Sequence, residues 1–290
     1  MSTQSTNEPV STPSGTNPLD RTKMTRTSYA LQVLALVTLI YLRATFSLGA
    51  AAAAQDGLPR NALWEVVHNV CVPGQSQRRN PMPCVQVHLD GGMEKGFAIL
   101  KDPRGAAQFL LIPTARISGI ESPALLGPDA TNYFAYAWEA RTLINAALGK
   151  TLARDGIGLA INSAVSRSQD QLHIHIACVY PRVLDTLHNN QGQIGNRWAP
   201  FNLPLLGRYY EAAWVSGEDL GSNNPFGLLA KIPDAARDMG NYTLVVIGLT
   251  RSDGTKGFVL LADQVKKASS DFASGEELLD HACGIAAVKK

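Results

Sequence analysis

The amino-acid sequence predicts an α+β fold in which an antiparallel sheet packs against helices. Two strand-turn-strand patterns flank a long helical pattern in the first two thirds of the chain. A third such pattern at 242–261 resembles the first one. We therefore expect one antiparallel sheet with packed helices, extended by a degenerate second half of the chain.

The first 54 residues are predicted to lie outside this sheet. Residues 1–28 form a basic tail rich in Ser, Thr, Asn and Pro, a composition that cannot offset the entropy lost on ordering. Residues 29–54 are an apolar run followed by alanines, which is typical of a signal peptide or of a single membrane anchor. Both interpretations predict export of the folded domain, which we place at 55–290.

Four cysteines fit export to an oxidising compartment, and their even number allows three pairings. We favour a bond between Cys71 and Cys84, because the proline-rich stretch between them has little else to hold it. Closing a loop of this size stabilises a fold by about 3 kcal/mol. Cys178 and Cys283 are then left to tie a central strand to the C-terminal segment.

The elements follow one another in a simple order. The first part of the chain predicts a short helix at 63–70 ending near Cys71, strand material at 85–101, a turn at 102–105 and a strand at 109–112. The middle predicts a long helix at 133–147 stopped by Gly149, a strand at 157–162, a polar turn at 163–170 and a strand at 172–179. The last part predicts strands at 242–249 and 257–261, and a helix that starts with a capping box at 274–277 and continues through 279.

The strand at 172–179 carries two histidines on one face. His173 and His175 alternate with Leu172, Ile174 and Ile176, and strand side chains change face at every residue. Same-face neighbours lie roughly 6 to 7 Å apart, so both imidazoles can reach one phosphate. The alternation also fits an ordinary half-buried strand, and His-x-His also occurs in zinc sites.

The other four histidines and the net charge indicate which ligands and partners are not expected. The other four histidines have no carboxylate or thiolate companions at ligand spacing, so we expect no metal and no other cofactor. A net charge of +2 without a block of Lys and Arg does not favour a nucleic acid partner.

Several motifs together resemble a known family. The motifs are Leu-Leu-Ile-Pro-Thr at 110–114, Gly-Ile-Glu-Ser-Pro at 119–123, Ala-Ile-Asn-Ser at 160–163, His-Ile-His-Ile at 173–176 and Asn-Pro-Phe at 224–226. In this order, with the paired cysteines and the N-terminal segment, they resemble the histidine-triad superfamily. Within it the chain looks most like the CDP-diacylglycerol pyrophosphatase family, over roughly 63–283.

This resemblance implies roles for individual residues. His173 matches the nucleophile, and His175 matches the last triad histidine, which contacts phosphate. Gln171 stands where the first triad histidine is usual, and Arg116 where an upstream histidine is usual. We expect Gln171 to orient the histidine face.

Other residues are candidates for binding the phosphate. The transition state needs donors to its non-bridging oxygens. We expect those donors to come from Asn162, Ser168, Arg167 and Arg116, although plain turn chemistry also explains Asn162 and Ser168.

The resemblance also implies an activity and a location. It implies hydrolysis of the pyrophosphate bond of CDP-diacylglycerol, a lipid nucleotide, to CMP and phosphatidate through a covalent nucleotidyl-histidine. The membrane bilayer would be a partner, with the domain on the periplasmic side of the inner membrane or free in the periplasm. Two alternatives remain: a histidine-triad nucleotidyl hydrolase or transferase acting on a soluble diphosphate, and an exported protein that binds a nucleotide or lipid head group without catalysis.

Overall fold

The computed structural model describes residues 59–287, except 267 and 269. These residues belong to one compact unit. The predicted tail at 1–28 and the predicted signal or anchor segment at 29–54 lie outside the described residues. Within the part that is described, no helix is long and apolar enough to cross a membrane.

An antiparallel sheet of ten strands forms the centre of the described chain. The strands are β1 Cys84–His88, β2 Phe97–Lys101, β3 Phe109–Pro113, β4 Ile157–Ile161, β5 Ile174–Val179, β6 Ala199–Leu205, β7 Arg208–Ser216, β8 Tyr242–Thr250, β9 Lys256–Gln264 and β10 Leu279–Asp280. Their order is β1-β2-β3-β5-β4-β8-β9-β7-β6, and β10 pairs with β5. The predicted α+β class is confirmed, and β6 to β9 extend the sheet beyond β4.

Short helices cover the sheet. They are α1 Ala62–Val66, α2 Val72–Arg78, α3 Gly92–Lys95, α4 Tyr133–Glu139, α5 Thr142–Leu148, α6 Pro181–Asn189, α7 Pro225–Leu229 and α8 Pro233–Arg237. A π-helical segment, Val67–Cys71, joins α1 to α2. Several 3-10 turns complete the connections.

One face of the sheet packs against α4, α5, α7 and α8. Ile174 and Ile176 of β5 lie in this core with Phe134, Trp138 and Phe226 from the helices. All these side chains are at most 1% exposed, so the aliphatic side of β5 is buried away from water.

The opposite face carries two separate apolar clusters. Val67 and Val72, from the first helical stretch, pack on Leu110 of β3. Farther along the sheet, α6 packs on Ala177 of β5 and on β8. His175 pairs with Leu110 on one side and with Ala160 on the other, so the histidine face lies where the two clusters meet.

The predicted helix at 133–147 is wrong in one respect, because it is two helices. The Arg141 side chain stacks on the Trp138 ring at 4.4 Å and donates to the Trp138 carbonyl. Between α4 and α5 the backbone N–H groups of Arg141 and Leu143 bond to carbonyls three residues back, which interrupts the α-helical pattern. Gly149 ends α5 with φ of 60°, a left-handed conformation that favours glycine, as predicted.

Two predicted boundaries near the N-terminus are also corrected. The first helical stretch does not end near Cys71 but continues to Arg78, since Pro73 stands in the first turn of α2, where it needs no N–H partner. The supposed loop between the first two cysteines is therefore largely helical. The predicted strand at 85–101 is interrupted by α3, whose first residue, Gly92, has a positive φ of 74°.

The predicted C-terminal helix is wrong as well. Gly275–Leu278 is a single 3-10 turn, and Leu279 and Asp280 then pair with Val179 and Cys178 of β5. The backbone N–H and C=O groups at the end of β5 need hydrogen-bond partners. A paired strand supplies these partners, whereas a helix would not. This segment consequently lies beside the histidine strand.

Candidate active site

His173 is held in the tautomer that a nucleophile requires. Its Nδ1 lies 2.7 Å from the backbone carbonyl oxygen of Gln171, which can only accept, so Nδ1 carries the proton. The second nitrogen, Nε2, has no hydrogen-bond partner among the described residues. Its lone pair is available to a substrate atom.

The surroundings of His173 also keep it neutral. The side chain is 7% exposed, and burial lowers its pKa to about 4, with the neighbouring His175 acting in the same direction. The two imidazole rings meet edge to face with centroids 5.1 Å apart. A neutral imidazole with a free Nε2 is a competent nucleophile at physiological pH.

His175 is fixed from one side by an amide. Gln108 Nε2 lies 3.2 Å from His175 Nδ1 and 3.1 Å from Asp102 Oδ2, so one amide group can donate to both. Nδ1 of His175 is therefore the acceptor, and its proton lies on Nε2. Asp102 is in turn held by the backbone N–H of Arg104 at 2.8 Å.

On its other side His175 meets a carboxylate. Glu276 Oε2 lies 2.8 Å from His175 Nε2, but off the direction in which the ring N–H points. The contact is thus a close approach of the carboxylate to the imidazole and not a well-aligned hydrogen bond. Burial raises the pKa of Glu276, but its contact with His175 and the charge of Arg104 outweigh burial and lower the pKa to about 2.

The backbone that carries Glu276 is anchored to the sheet. Asn162 Oδ1 accepts from the Glu276 N–H at 3.2 Å, and the Thr243 hydroxyl accepts from the Gly275 N–H at 2.8 Å. A Cβ on Gly275 would come within 2.4 Å of that hydroxyl oxygen, so only glycine allows the segment to approach this closely. Asn162, predicted to face phosphate, thus also supports the segment that carries Glu276.

Gln171 contributes to the site in two ways. Its carbonyl orients His173, and its buried side chain donates to the carbonyls of Pro113 and Ala115 at 3.0 and 2.8 Å. These bonds fix the start of the histidine strand against the end of β3. The predicted orienting role remains a prediction, and these contacts are consistent with it.

The other predicted phosphate ligands lie at different distances from the histidines. Arg167 is close enough for its charge to act on His173, while its guanidinium pairs with Glu121 and Asp170 at 2.5 and 3.2 Å. Ser168 is exposed in the same turn. Arg116 is exposed, bonds to Asn61 and stacks on Trp64, so it makes no contact with the imidazoles.

Sequence reasoning missed Gln108, Asp102 and Glu276. The pattern at 102–105 was read only as a turn, and Glu276 only as part of a capping box. A weak signal existed for Gln108, which lies two residues before Leu110 and therefore on the histidine face of β3. Nothing local in the sequence places Glu276 there, because its position depends on pairing between β10 and β5.

Cavities do not by themselves point to this site. A cavity of about 670 Å³ is bordered by Trp198, Trp214 and Lys231, and neither histidine lines it. A second one, of about 460 Å³, is bordered by Glu276 and Tyr180. We assign the candidate site from the histidine geometry, because there an imidazole with an unpartnered nitrogen lies beside fixed polar groups. Among the described residues, no group of three or more His, Cys, Asp or Glu side chains is arranged to hold a metal ion.

Both predicted disulfide pairings are confirmed. Cys71–Cys84 ties the first helical stretch to β1, and Cys178–Cys283 ties β5 to the C-terminal segment. The second bond follows the Glu276 segment by a few residues and helps to hold it beside His175.

Comparisons with known proteins agree with the resemblance seen in the motifs. The family model described as CDP-diacylglycerol pyrophosphatase matches residues 58–287. A protein of Yersinia pestis named CDP-diacylglycerol pyrophosphatase is 41% identical over 226 residues, which is 78% of this chain and 84% of that protein. The match includes every residue of the site described above.

Proposed function

The chain belongs to the CDP-diacylglycerol pyrophosphatase family, a family of hydrolases, and from this premise we propose how its own residues cleave CDP-diacylglycerol. The products are CMP and phosphatidate. The observation that carries the proposal is the tautomer of His173, whose Nδ1 bonds to the Gln171 carbonyl and whose Nε2 is free. The reaction proceeds through a covalent nucleotidyl-histidine.

In the first step, His173 Nε2 attacks the phosphorus next to the cytidine. A nitrogen–phosphorus bond forms while the bond from that phosphorus to the bridging oxygen breaks. The electron pair leaves with phosphatidate. In the second step water attacks the same phosphorus, loses a proton to solvent and displaces the imidazole, which frees CMP and restores His173.

Charge on the non-bridging oxygens is stabilised by the groups around the histidines. Arg167 supplies positive charge near His173, and its pairing with Glu121 and Asp170 fixes its position in advance. The N–H on His175 Nε2 supplies a further hydrogen-bond donor to these oxygens. Preorganised groups of this kind lose little free energy to rearrangement when the charge develops.

The location of the enzyme follows from its substrate and its cysteines. We place the domain outside the cytoplasm, on the periplasmic side of the inner membrane, with the segment at 29–54 as anchor or cleaved signal. Two disulfides support an oxidising compartment. Substrate and one product are membrane lipids, so the bilayer is the expected partner in phospholipid metabolism.

We predict that hydrolysis in oxygen-18 water places the label in CMP. The solvent oxygen enters whichever product comes from the covalent intermediate, and we assign that product to the nucleotide. Mass spectrometry of both products after a single turnover measures the label. Rapid quenching with substrate labelled at the cytidine-side phosphorus should also recover a phosphoramidate on the peptide that contains His173. Label in phosphatidate would instead place the lipid on the histidine.

We also predict that His173 stays neutral down to about pH 5. Its pKa is lowered to about 4, and a histidine is mostly neutral once the pH is about one unit above its pKa. Acidification from pH 7 to pH 5 therefore leaves the nucleophile competent, whereas an ordinary histidine is half protonated near pH 6.5. NMR titration of isotope-labelled histidines, with His173 assigned by substitution, measures this directly. A titration midpoint of 6 or above would contradict it.

A further inference from the structure

Glu276 brings a negative charge into a site that must bind phosphates. Its Oε2 lies 2.8 Å from Nε2 of His175, whose side chain is 2% exposed and whose N–H has no aligned acceptor. Because Nε2 is itself buried, a phosphoryl oxygen can bond to that N–H only by entering the space beside it, next to the carboxylate. It would then meet the carboxylate at close range.

The repulsion between Glu276 and a bound phosphate depends on the charge of that phosphate. In a pyrophosphate diester such as CDP-diacylglycerol, each phosphorus carries one negative charge. A terminal phosphate such as that of CMP carries about 1.5 to 2 charges at pH 7. Repulsion by Glu276 is therefore weaker for the substrate than for the products.

We propose that Glu276 is a specificity residue that disfavours terminal phosphate dianions at His175 and so favours substrate over product. This inference rests on the proposed function, since it takes the histidine pair as the phosphate site. The nearby positive charge of Arg104 acts on Glu276, but Arg104 is 60% exposed and already pairs with Asp102 at 3.3 Å. Its positive charge offsets part of the negative charge of Glu276 but, being shared with Asp102 and exposed to solvent, does not cancel it.

The side chain, and not the backbone, carries this role. The backbone of the segment is fixed by Asn162, by Thr243 and by the pairing of β10 with β5. A Glu276→Gln substitution removes the charge while keeping an oxygen that can accept from His175. It therefore separates the effect of charge from any support that the side chain gives to the imidazole.

The test measures binding of two nucleotides to the full chain by calorimetry at pH 7.5. One is CMP, and the other is its methyl ester, a diester that carries a single charge. We expect wild-type protein to bind the methyl ester more tightly than CMP. In Glu276→Gln we expect CMP to bind about tenfold more tightly and the methyl ester to change much less.

Glu277→Gln is the matched control. Glu277 is the next residue, carries the same charge and pairs with Arg208 at 2.7 Å instead of with a histidine. It should keep the wild-type preference. An unchanged preference in Glu276→Gln, an equal shift in both variants, or weaker binding of both nucleotides to Glu276→Gln would each overturn the inference.

Two further measurements separate a loss of specificity from a damaged fold and from a wrong proposed function. Thermal unfolding of each variant shows that a change in binding does not come from a damaged fold. Turnover of CDP-diacylglycerol by the wild-type preparation tests the proposed function separately. An enzyme that hydrolyses the substrate but shows no change in preference contradicts only the role of Glu276.

Discussion

Replacing His173 with alanine is expected to lower kcat/KM for CDP-diacylglycerol by about 10⁴-fold or more while leaving the chain folded. Substitution removes the atom that bonds to phosphorus, and no other group in the site offers a free lone pair in the same place. The cost to the fold is small. The lost bond to the Gln171 carbonyl reduces the free energy of unfolding by about 1–3 kcal/mol.

His188→Ala provides the matched control for this prediction. His188 Nε2 also lies close to an oxygen, Asp155 Oδ2 at 3.1 Å, but His188 lies on α6 outside the site. It should retain nearly full turnover. Near-normal activity of folded His173→Ala protein would refute the covalent mechanism.

Removing the Cys178–Cys283 bond is expected to give the largest loss of stability. The two residues are 105 positions apart, and a cross-link over such a distance stabilises a fold by about 4 to 5 kcal/mol in the chain-entropy model. Cys178→Ala with Cys283→Ala should lower the free energy of unfolding by roughly this amount. Turnover should fall as well, because the segment that carries Glu276 loses an anchor beside His175.

The other disulfide provides the comparison. Cys71 and Cys84 are 13 positions apart, so the corresponding double alanine variant should lose only about 3 kcal/mol. Urea unfolding of both variants under non-reducing conditions measures the difference. Equal losses, or a larger loss for the shorter loop, would show that strain or local packing outweighs loop length.

Local patterns predicted most of the first half of the fold. The hairpin of β2 and β3 and the hairpin of β4 and β5 were visible because apolar runs flank polar turns. The region at 199–216, which holds β6 and β7, gave no prediction. β6 contains Pro200 and Pro204, which weaken its strand pattern, and it lies at an edge of the sheet, where proline is tolerated.

The site was predictable only where its residues are close in sequence. The histidine pair was visible because alternation on a strand is a short-range property. Gln108 and Glu276 reach His175 from far along the chain, and their roles depend on the register of β3 and β10 against β5. Arg116 matches a motif position and contacts Asn61 on the surface, so its predicted role in phosphate binding stays a prediction.

The pairing of β4 with β8 makes unfolding of the described chain cooperative. β4 is buried at every position, and β8 at all but its last, so no water-exposed seam separates the strands on either side of their junction. Partial opening there would expose two central strands at once, at a cost comparable to that of global unfolding. The described chain should therefore behave as a single foldon, in which the histidine strand and the later strands open together.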